Sequence, residues 1–481
     1  MANQLLITKK GSGVLSVKVE DGKIAQIQAQ PENEESLLGN IYVGKVRNIV
    51  KNINAAFVEY ELGKMAYLSL ESRVCPIHTD GVVSDGTRVL IGDEIIVQIE
   101  KEAVKTKPPT LAGALNFPGK YVVLIYGEKT VSISSKIKDF EKKQRIKELL
   151  QNNIDGDYGF IARTNSKDAS EEKILNEIAF LKKQLEDIKK FGIHRTKFNC
   201  LYRAPAAYLC DIRDSYDSLL ESIITDDDVI YEKITEFVKV YQPEDINKIR
   251  RWDENDGKLD AVYDVTKTLE HALMPKVWLK NGGYLIIQPT EALVSVDVNT
   301  GKAISKKRDV QKTFLKVNLE AATQIARQLR LRNLSGMILI DFIDMKSPEY
   351  NKQLMDRLKS EFAKDPVRTI LVDMTKLGLI EVTRKKVRKS LYEQIKDEDN
   401  LIFAYGRLAR YYRDSGEYDK AIEIYNKIDS EEGKESVYEF QAYNLIDQKR
   451  YDEVEKLYKY IKDENILKDI QEEVCRQKTE N

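Results

Sequence analysis

SVDVN at Ser295–Asn299 and ILIDFIDM at Ile338–Met345 decide how this chain is read. Each is an apolar, β-branched run that ends on carboxylates, the pattern of a buried strand. Side chains alternate across a strand, so Asp297 and Asn299 point to the same side. Asp341 ends the second apolar run, and Asp344 follows three residues later. If the two runs lie side by side in one sheet, Asp297 and Asp341 meet at its edge with an amide nearby. That is the ligand set of a hard cation such as magnesium, which takes oxygen ligands and keeps several waters. Manganese is the alternative ion.

The surroundings extend the same module. KVWLK, the turn Asn281-Gly282-Gly283 and YLIIQ lead into the first run, and Asn-Gly is a strong hairpin signal. A basic loop (Lys302, Lys306, Lys307, Arg308) precedes a long helix ending LEAATQIARQLRLRNLSG. MILID returns from it, another helix and TILVDM follow, and TRKKVRKS closes the module. The order predicts a layered α/β domain with carboxylates at strand ends. The basic loop, with Arg327, Arg330 and Arg332, is expected to supply local positive field. The three arginines cannot share one helical face, so at least one is expected in a structural ion pair.

The chain has 481 residues, 42% hydrophobic and 32% charged, with a formal net charge of −1. That length suits three or four modules. The near-zero charge means that any site for a polyanion is local. Four scattered cysteines (Cys75, Cys200, Cys210, Cys475) form no C-x-x-C pair, and only three histidines accompany them. A structural zinc site or disulfide framework is not expected. The N-terminus lacks a signal-peptide pattern and no apolar run reaches membrane-spanning length, so a cytoplasmic protein without a membrane span is expected.

Upstream, residues 1–36 alternate as short strands, too few to fold alone, and must join a later sheet. From about Gly39 to Lys120 the pattern is all-β, with IYVGKVRNIV, AAFVEYEL, MAYLSL and EIIVQIEKE separated by turns. This fits a small closed barrel of the OB type. Phe57, Tyr60 and Tyr67 lie near Lys45 and Arg47, and Lys101, Lys105 and Lys107 follow. Rings that stack bases beside cations that track phosphates suit single-stranded nucleic acid. Phe57 and Tyr67 serve equally well as barrel core, and the pattern leaves both readings open. Residues 121–205 mix strands with two helical stretches, and Arg163-Thr164 closes the strand GFIA. An arginine fork beside a hydroxyl can clamp a phosphate, although such a dipeptide alone is unspecific. After about Lys396 the chain is Tyr-rich, charged and helical. Tyr418 and Tyr451 are 33 residues apart, as are Tyr425 and Tyr458, which suggests tetratricopeptide-like hairpins. A plain amphipathic tail is the other reading.

Other chemistries find little support. NTGK at Asn299–Lys302 lacks the upstream glycine of a P-loop. No G-x-S-x-G elbow occurs, and histidines are too scarce for a Ser-His triad.

GGYLIIQPTEALVSVDVNTGK followed by NLEAATQIARQLRLRNLSGMILIDFIDM resembles the catalytic core of the ribonuclease E/G family, and VWLKNGGYL and NTGK lean toward its ribonuclease G branch. The likeness extends over roughly residues 1–392. It implies endonucleolytic cleavage of single-stranded RNA in RNA processing and decay, leaving 5′-phosphate and 3′-hydroxyl ends, with preference for 5′-monophosphorylated substrates. By the same resemblance Asp297 and Asp341 match the magnesium ligands, and Asn299 matches the residue that hydrogen-bonds a ligand carboxylate. Arg163 and Thr164 match the pocket that senses a 5′-monophosphate. Phe57, Tyr67 and Lys107 match barrel positions that grip RNA. The implied architecture is an RNase H-like portion (1–36 and 206–274) with an inserted OB-fold barrel (37–120) and 5′ sensor (121–205). A DNase I-like catalytic domain (275–395) and a helical tetratricopeptide-like tail (396–481) follow.

One departure stands out. Family members usually carry a C-P-x-C motif after the catalytic domain, through which two chains share zinc. RKSLYEQIKDEDN occupies that place here, so neither the zinc nor the zinc-linked dimer is expected. The tail is expected to pack on the body or bind a partner. The sequence leaves two competing readings: a non-catalytic RNA-binding assembly factor and a magnesium-dependent DNA phosphodiesterase.

Overall fold

The computed structural model describes residues 3–10, 13–31, 36–71, 76–79, 89–103, 107–215, 220–301, 310–395, 398–427 and 430–479. Cys75, Lys105 and the basic loop Lys302, Lys306, Lys307 and Arg308 lie outside them. The chain divides into two compact units. One comprises Ala2–Ile7 and Glu34–Arg251, the other Thr8–Asn33 and Trp252–Asn481.

In the unit built around Glu34–Arg251, strands Ile41–Val50, Ala55–Glu61, Lys64–Ser69, Thr110–Ala112 and Glu94–Lys101 pair in that order. The last pairs back on the first, with Ile41 opposite Gln98, which closes a five-stranded barrel. Closure leaves no free edge among the five, and the barrel is consistent with an OB-fold. Its interior is apolar: Val46, Val58, Tyr60, Ala66, Leu68, Val97, Ile99 and Leu111 are buried together. Tyr60, grouped with the candidate RNA-facing rings from its neighbourhood in sequence, is therefore a core residue at 3% exposure.

Beside the barrel a four-stranded sheet (Asn116–Pro118, Val122–Tyr126, Tyr158–Ala162, Val131–Ile133) buries one side against helices Phe140–Gln151 and Glu171–Gly192. The N-terminal strand finds a distant partner, as its shortness demands. Leu5 lies opposite Ile223 in a parallel pairing with Leu220–Thr225, and Ile249–Arg251 extends that sheet.

The other unit is centred on a six-stranded sheet: Lys276–Trp278, Tyr284–Pro289, Leu293–Asn299, Gly336–Asp341, Ile380–Arg384 and Thr369–Met374, in that spatial order. The meander, the parallel return and the two crossover helices (Val310–Leu331 and Pro348–Phe362) follow the pattern read from the sequence. One strand was hidden. Ile380–Arg384 slots between two neighbours, in a stretch whose basic run masks its alternation. Its inward positions are Ile380, Val382 and, unexpectedly, Arg384. The Arg384 guanidinium is buried against the Asp365 carboxylate, with Nε to Oδ2 at 2.8 Å, and it also donates to the Asn333 side chain and the Leu334 carbonyl. Full pairing is what makes an inward cation tolerable.

The sheet has two unlike faces. Val277, Leu285, Ile287, Val294, Val296, Val298, Ile338, Ile340, Ile380 and Val382 belong to the core beneath the two helices. The alternate residues, Asp297 and Asp341 among them, occupy the face turned away from those helices, and none of them is in that core.

The tail repeats in structure as in sequence. Helices Glu398–Asp414 and Tyr418–Lys427 form one hairpin, Glu431–Asp447 and Tyr451–Glu455 the next, and Glu464–Thr479 ends the stack. The first helix of each pair is displaced by 33 residues, which is the period of the tyrosines. Tyr405 meets Tyr392 edge to face at 5.8 Å, which joins the stack to the short helix Leu391–Gln394. No helix among the described residues is long and apolar enough to cross a membrane.

Candidate catalytic site and nucleic-acid surfaces

Parallel pairing of Leu293–Asn299 with Gly336–Asp341 sets Asp297 directly opposite Asp341. Both are exposed on the helix-free face. The Asn299 amide donates to Asp297 Oδ2 at 2.7 Å, which restrains that carboxylate and leaves Oδ1 outside this bond. The Asp341 carboxyl is pushed above its ordinary range, first by partial burial and then by the charges of Asp297 and Asp344. Negative charge gathered beside Asp341 in this way disfavours its ionised form unless a positive charge comes close.

The turn geometry holds this arrangement. A side chain at Gly283 would sit 2.8 Å from the Asn299 carbonyl, and one at Gly301 would sit 2.4 Å from the Gly282 carbonyl, with Gly301 at a φ of 49°. Only glycine lets the Asn281–Gly283 turn close on the end of the Asp297 strand. The donors fit magnesium by their chemistry: hard oxygens and no sulfur or imidazole. Among the described residues no group of three or more acidic, histidine or cysteine side chains is arranged as a metal cage. Two carboxylates with the remaining positions left to water suit a small ion that sheds water reluctantly.

The helix arginines have another task. Arg327 donates to the Ile24 carbonyl at 3.1 Å, Arg330 pairs with Glu20 at 3.3 Å, and Arg332 is buried and donates to Gln328. All three are structural: the first two fasten the long helix to the hairpin Gly13–Glu20 and Lys23–Pro31. The expectation that they lend positive field to the carboxylates is corrected accordingly. A helix pattern shows which residues share a stripe, not which hairpin packs on it.

On the barrel, Phe57 and Tyr67 face each other across neighbouring strands, 6.2 Å between centroids at 79°. Both are half-buried and lie outside the barrel core, on the outer side. The Tyr67 amide donates to the Pro109 carbonyl, which brings in the segment carrying exposed Lys107. Arg47 forms an ion pair with Glu59 and is committed there, contrary to its reading as a phosphate-tracking cation. In the neighbouring sheet, Arg163 follows Tyr158–Ala162. Its guanidinium reaches the Gly119 carbonyl at 2.6 Å and Asp214 at 2.8 Å. Burial alone would raise the Asp214 carboxyl, but Arg213 and then Arg163 overcome this and hold it below the usual range. The Thr164 hydroxyl lies 3.1 Å from that of Ser134. Arg163 thus keeps donors to spare on a pinned fork. Asp214, its anchor, carried no signal in the sequence.

Comparison with known proteins gives the family. The profile of the ribonuclease E/G family matches residues 116–387. Ribonuclease G of Salmonella typhimurium (strain SL1344) is 34% identical over 405 residues, covering 81% of each chain. Ribonuclease G of Escherichia coli (strain K12) is 33% identical over the same length and coverage. A ribonuclease E/G-like protein of Pyropia yezoensis is 32% identical over 384 residues, 79% of this chain and 75% of that protein. With its acidic strand pair inside the matched region, the chain belongs to the ribonuclease E/G family.

Proposed function

We propose that this endoribonuclease cuts single-stranded RNA with a magnesium ion held by Asp297 and Asp341. The observation that carries the reading is the register of the two strands, which sets these carboxylates side by side with Asn299 fixing one of them. When bound, the ion would activate a water and offset phosphate charge, yielding 5′-phosphate and 3′-hydroxyl ends. Asp297 and Asp341 supply the negative charge that draws the cation. Asn299 holds the Asp297 carboxylate in one rotamer, a supporting contact of the kind that tunes metal affinity. Phe57 and Tyr67 offer ring faces to bases, and Lys107 offers charge to the backbone. Arg163 and Thr164 receive a 5′-monophosphate, the arginine by its fork and the threonine by its hydroxyl. Such an enzyme would act in RNA processing and decay in the cytoplasm.

The test is a digest of a short, unstructured, A/U-rich RNA by purified protein, with end chemistry read out. Cutting should require magnesium, stop with EDTA, and vanish in Asp297→Asn while RNA binding persists. A 5′-monophosphorylated RNA should be cut faster than its 5′-hydroxyl twin. Cleavage that survives the double replacement of Asp297 and Asp341 by Asn would overturn the proposal. Matched DNA left uncut separates it from a DNA phosphodiesterase.

A further inference from the structure

The sheet face that bears the two aspartates carries a second feature that the proposed chemistry leaves unused. Register places Lys276 opposite Ile286, Ile286 opposite Asp297, and Asp297 opposite Asp341. One row thus runs across four strands from a cation to the carboxylate pair. The next row is Trp278, Tyr284 and Asn299. Val277, Leu285 and Val298 point into the core, so Lys276, Trp278 and Tyr284 share the face of Asp297. At about 4.8 Å per strand, Lys276 and Trp278 stand roughly 10 Å from the Asp297–Asn299 strand.

The group is built as a unit. Trp278 and Tyr284 meet at 64° with centroids 5.4 Å apart. The Lys276 ammonium lies 4.3 Å from the Trp278 ring and 4.2 Å from the Tyr284 ring. No carboxylate pairs with Lys276 among the described residues. Trp278 is 63% exposed on an edge strand. A large ring left in water next to an unneutralised cation does little for the fold. It is the pairing that grips a single strand of nucleic acid: a ring face for a base and a charge for the adjoining phosphate.

We propose that Lys276, Trp278 and Tyr284 form a nucleotide subsite on the RNA path, a short step along the strand from the carboxylate pair. A base stacks on the free face of Trp278, and Lys276 meets the neighbouring phosphate. Tyr284 orients both by holding the ammonium and buttressing the indole. Stacking reads any base, so the subsite adds grip and positioning more than sequence choice. The inference rests on the endoribonuclease reading, and the test separates the two.

The chain has two tryptophans, so Trp252→Phe leaves Trp278 as the sole reporter. In that background, with Asp297→Asn to prevent cutting, a labelled A/U-rich RNA is titrated while label anisotropy and indole emission are followed together. Binding should quench Trp278 emission in step with the rise in anisotropy. In the active enzyme, Trp278→Ala should raise KM about tenfold with kcat within about twofold, and Trp278→Phe should restore most of the loss. Lys276→Gln should make binding less salt-sensitive, by about 0.7 in the log–log slope. RNA that binds without moving Trp278 emission, or a Trp278→Ala enzyme with unchanged KM, overturns the subsite while the nuclease reading stands; the face would then suit a protein partner. Wild-type protein that neither binds nor cuts RNA removes both.

Discussion

At Asp297 a single amide restrains the carboxylate. Asn299 carries no charge and acts on Asp297 through one hydrogen bond. On the proposed reading, Asn299→Ala should therefore raise the magnesium concentration needed for half-maximal cutting by about 10- to 100-fold without abolishing cutting, measured by titrating magnesium at fixed RNA. Asp344 acts on Asp341 through charge. It contributes to the upward displacement of the Asp341 carboxyl, and a cation binds only the ionised form. Asp344→Asn should move the acid limb of the pH–rate profile to lower pH. An unmoved limb would show that Asp344 does not act on Asp341. Asp214 has the opposite sign. Its pKa is depressed in the fold, so its contribution to stability is complete above the ordinary aspartate range, near about pH 4. That contribution is lost as pH falls through the depressed value. Arg163→Gln removes one of the charges responsible and should shift acid unfolding to higher pH, followed by circular dichroism. The same substitution should erase the rate advantage of a 5′-monophosphate.

Among the elements, the turn at Asn281–Gly283 does more than reverse the chain. It lies against the Asn299 carbonyl, and Gly283→Ala would press on the strand end that positions both Asn299 and Asp297. The expected result is a kcat lowered by about tenfold or more with RNA affinity nearly unchanged, because a small displacement of reacting groups is costly. The short helix Leu391–Gln394 closes the catalytic unit with a capping box between Ser390 and Glu393. Ser390→Ala should cost about 1 kcal/mol in chemical denaturation. The alternation of SVDVN and MILID made the catalytic sheet and its acidic pair legible from sequence, since each strand buries one face only. Ile380–Arg384 escaped because an ion-paired arginine holds an inward position. Lys276, Trp278 and Tyr284 do not show in a hairpin reading of KVW and YLIIQ, because only the strand register carries their outward side chains across to Asp297. The fates of Arg47, Arg327 and Arg330 depend on partners distant in the chain, which one sequence does not disclose.

For the molecule as a whole, the segment RKSLYEQ sits where relatives are expected to carry their zinc cysteines. Here it is fastened within its own unit: Gln394 accepts from the Ala29 amide at 2.8 Å, and Arg388 donates to Gln28. The oligomeric mass, whatever its value, should therefore be unchanged by a zinc chelator in light scattering; a mass that drops would reveal a zinc link built from other residues. The tail has two apolar cores of its own, Ala409–Val437 and Ala442–Val474 in membership. Burial pushes the Tyr411 phenol up. The one-sided sheet has a further implication for how such a protein changes over time. Stability is vested in the residues under the helices, whereas the proposed grip and chemistry belong to their alternates. Substitutions can therefore accumulate on the working side at little risk to folding, so descendants of one scaffold are free to diverge in which transcripts they hold.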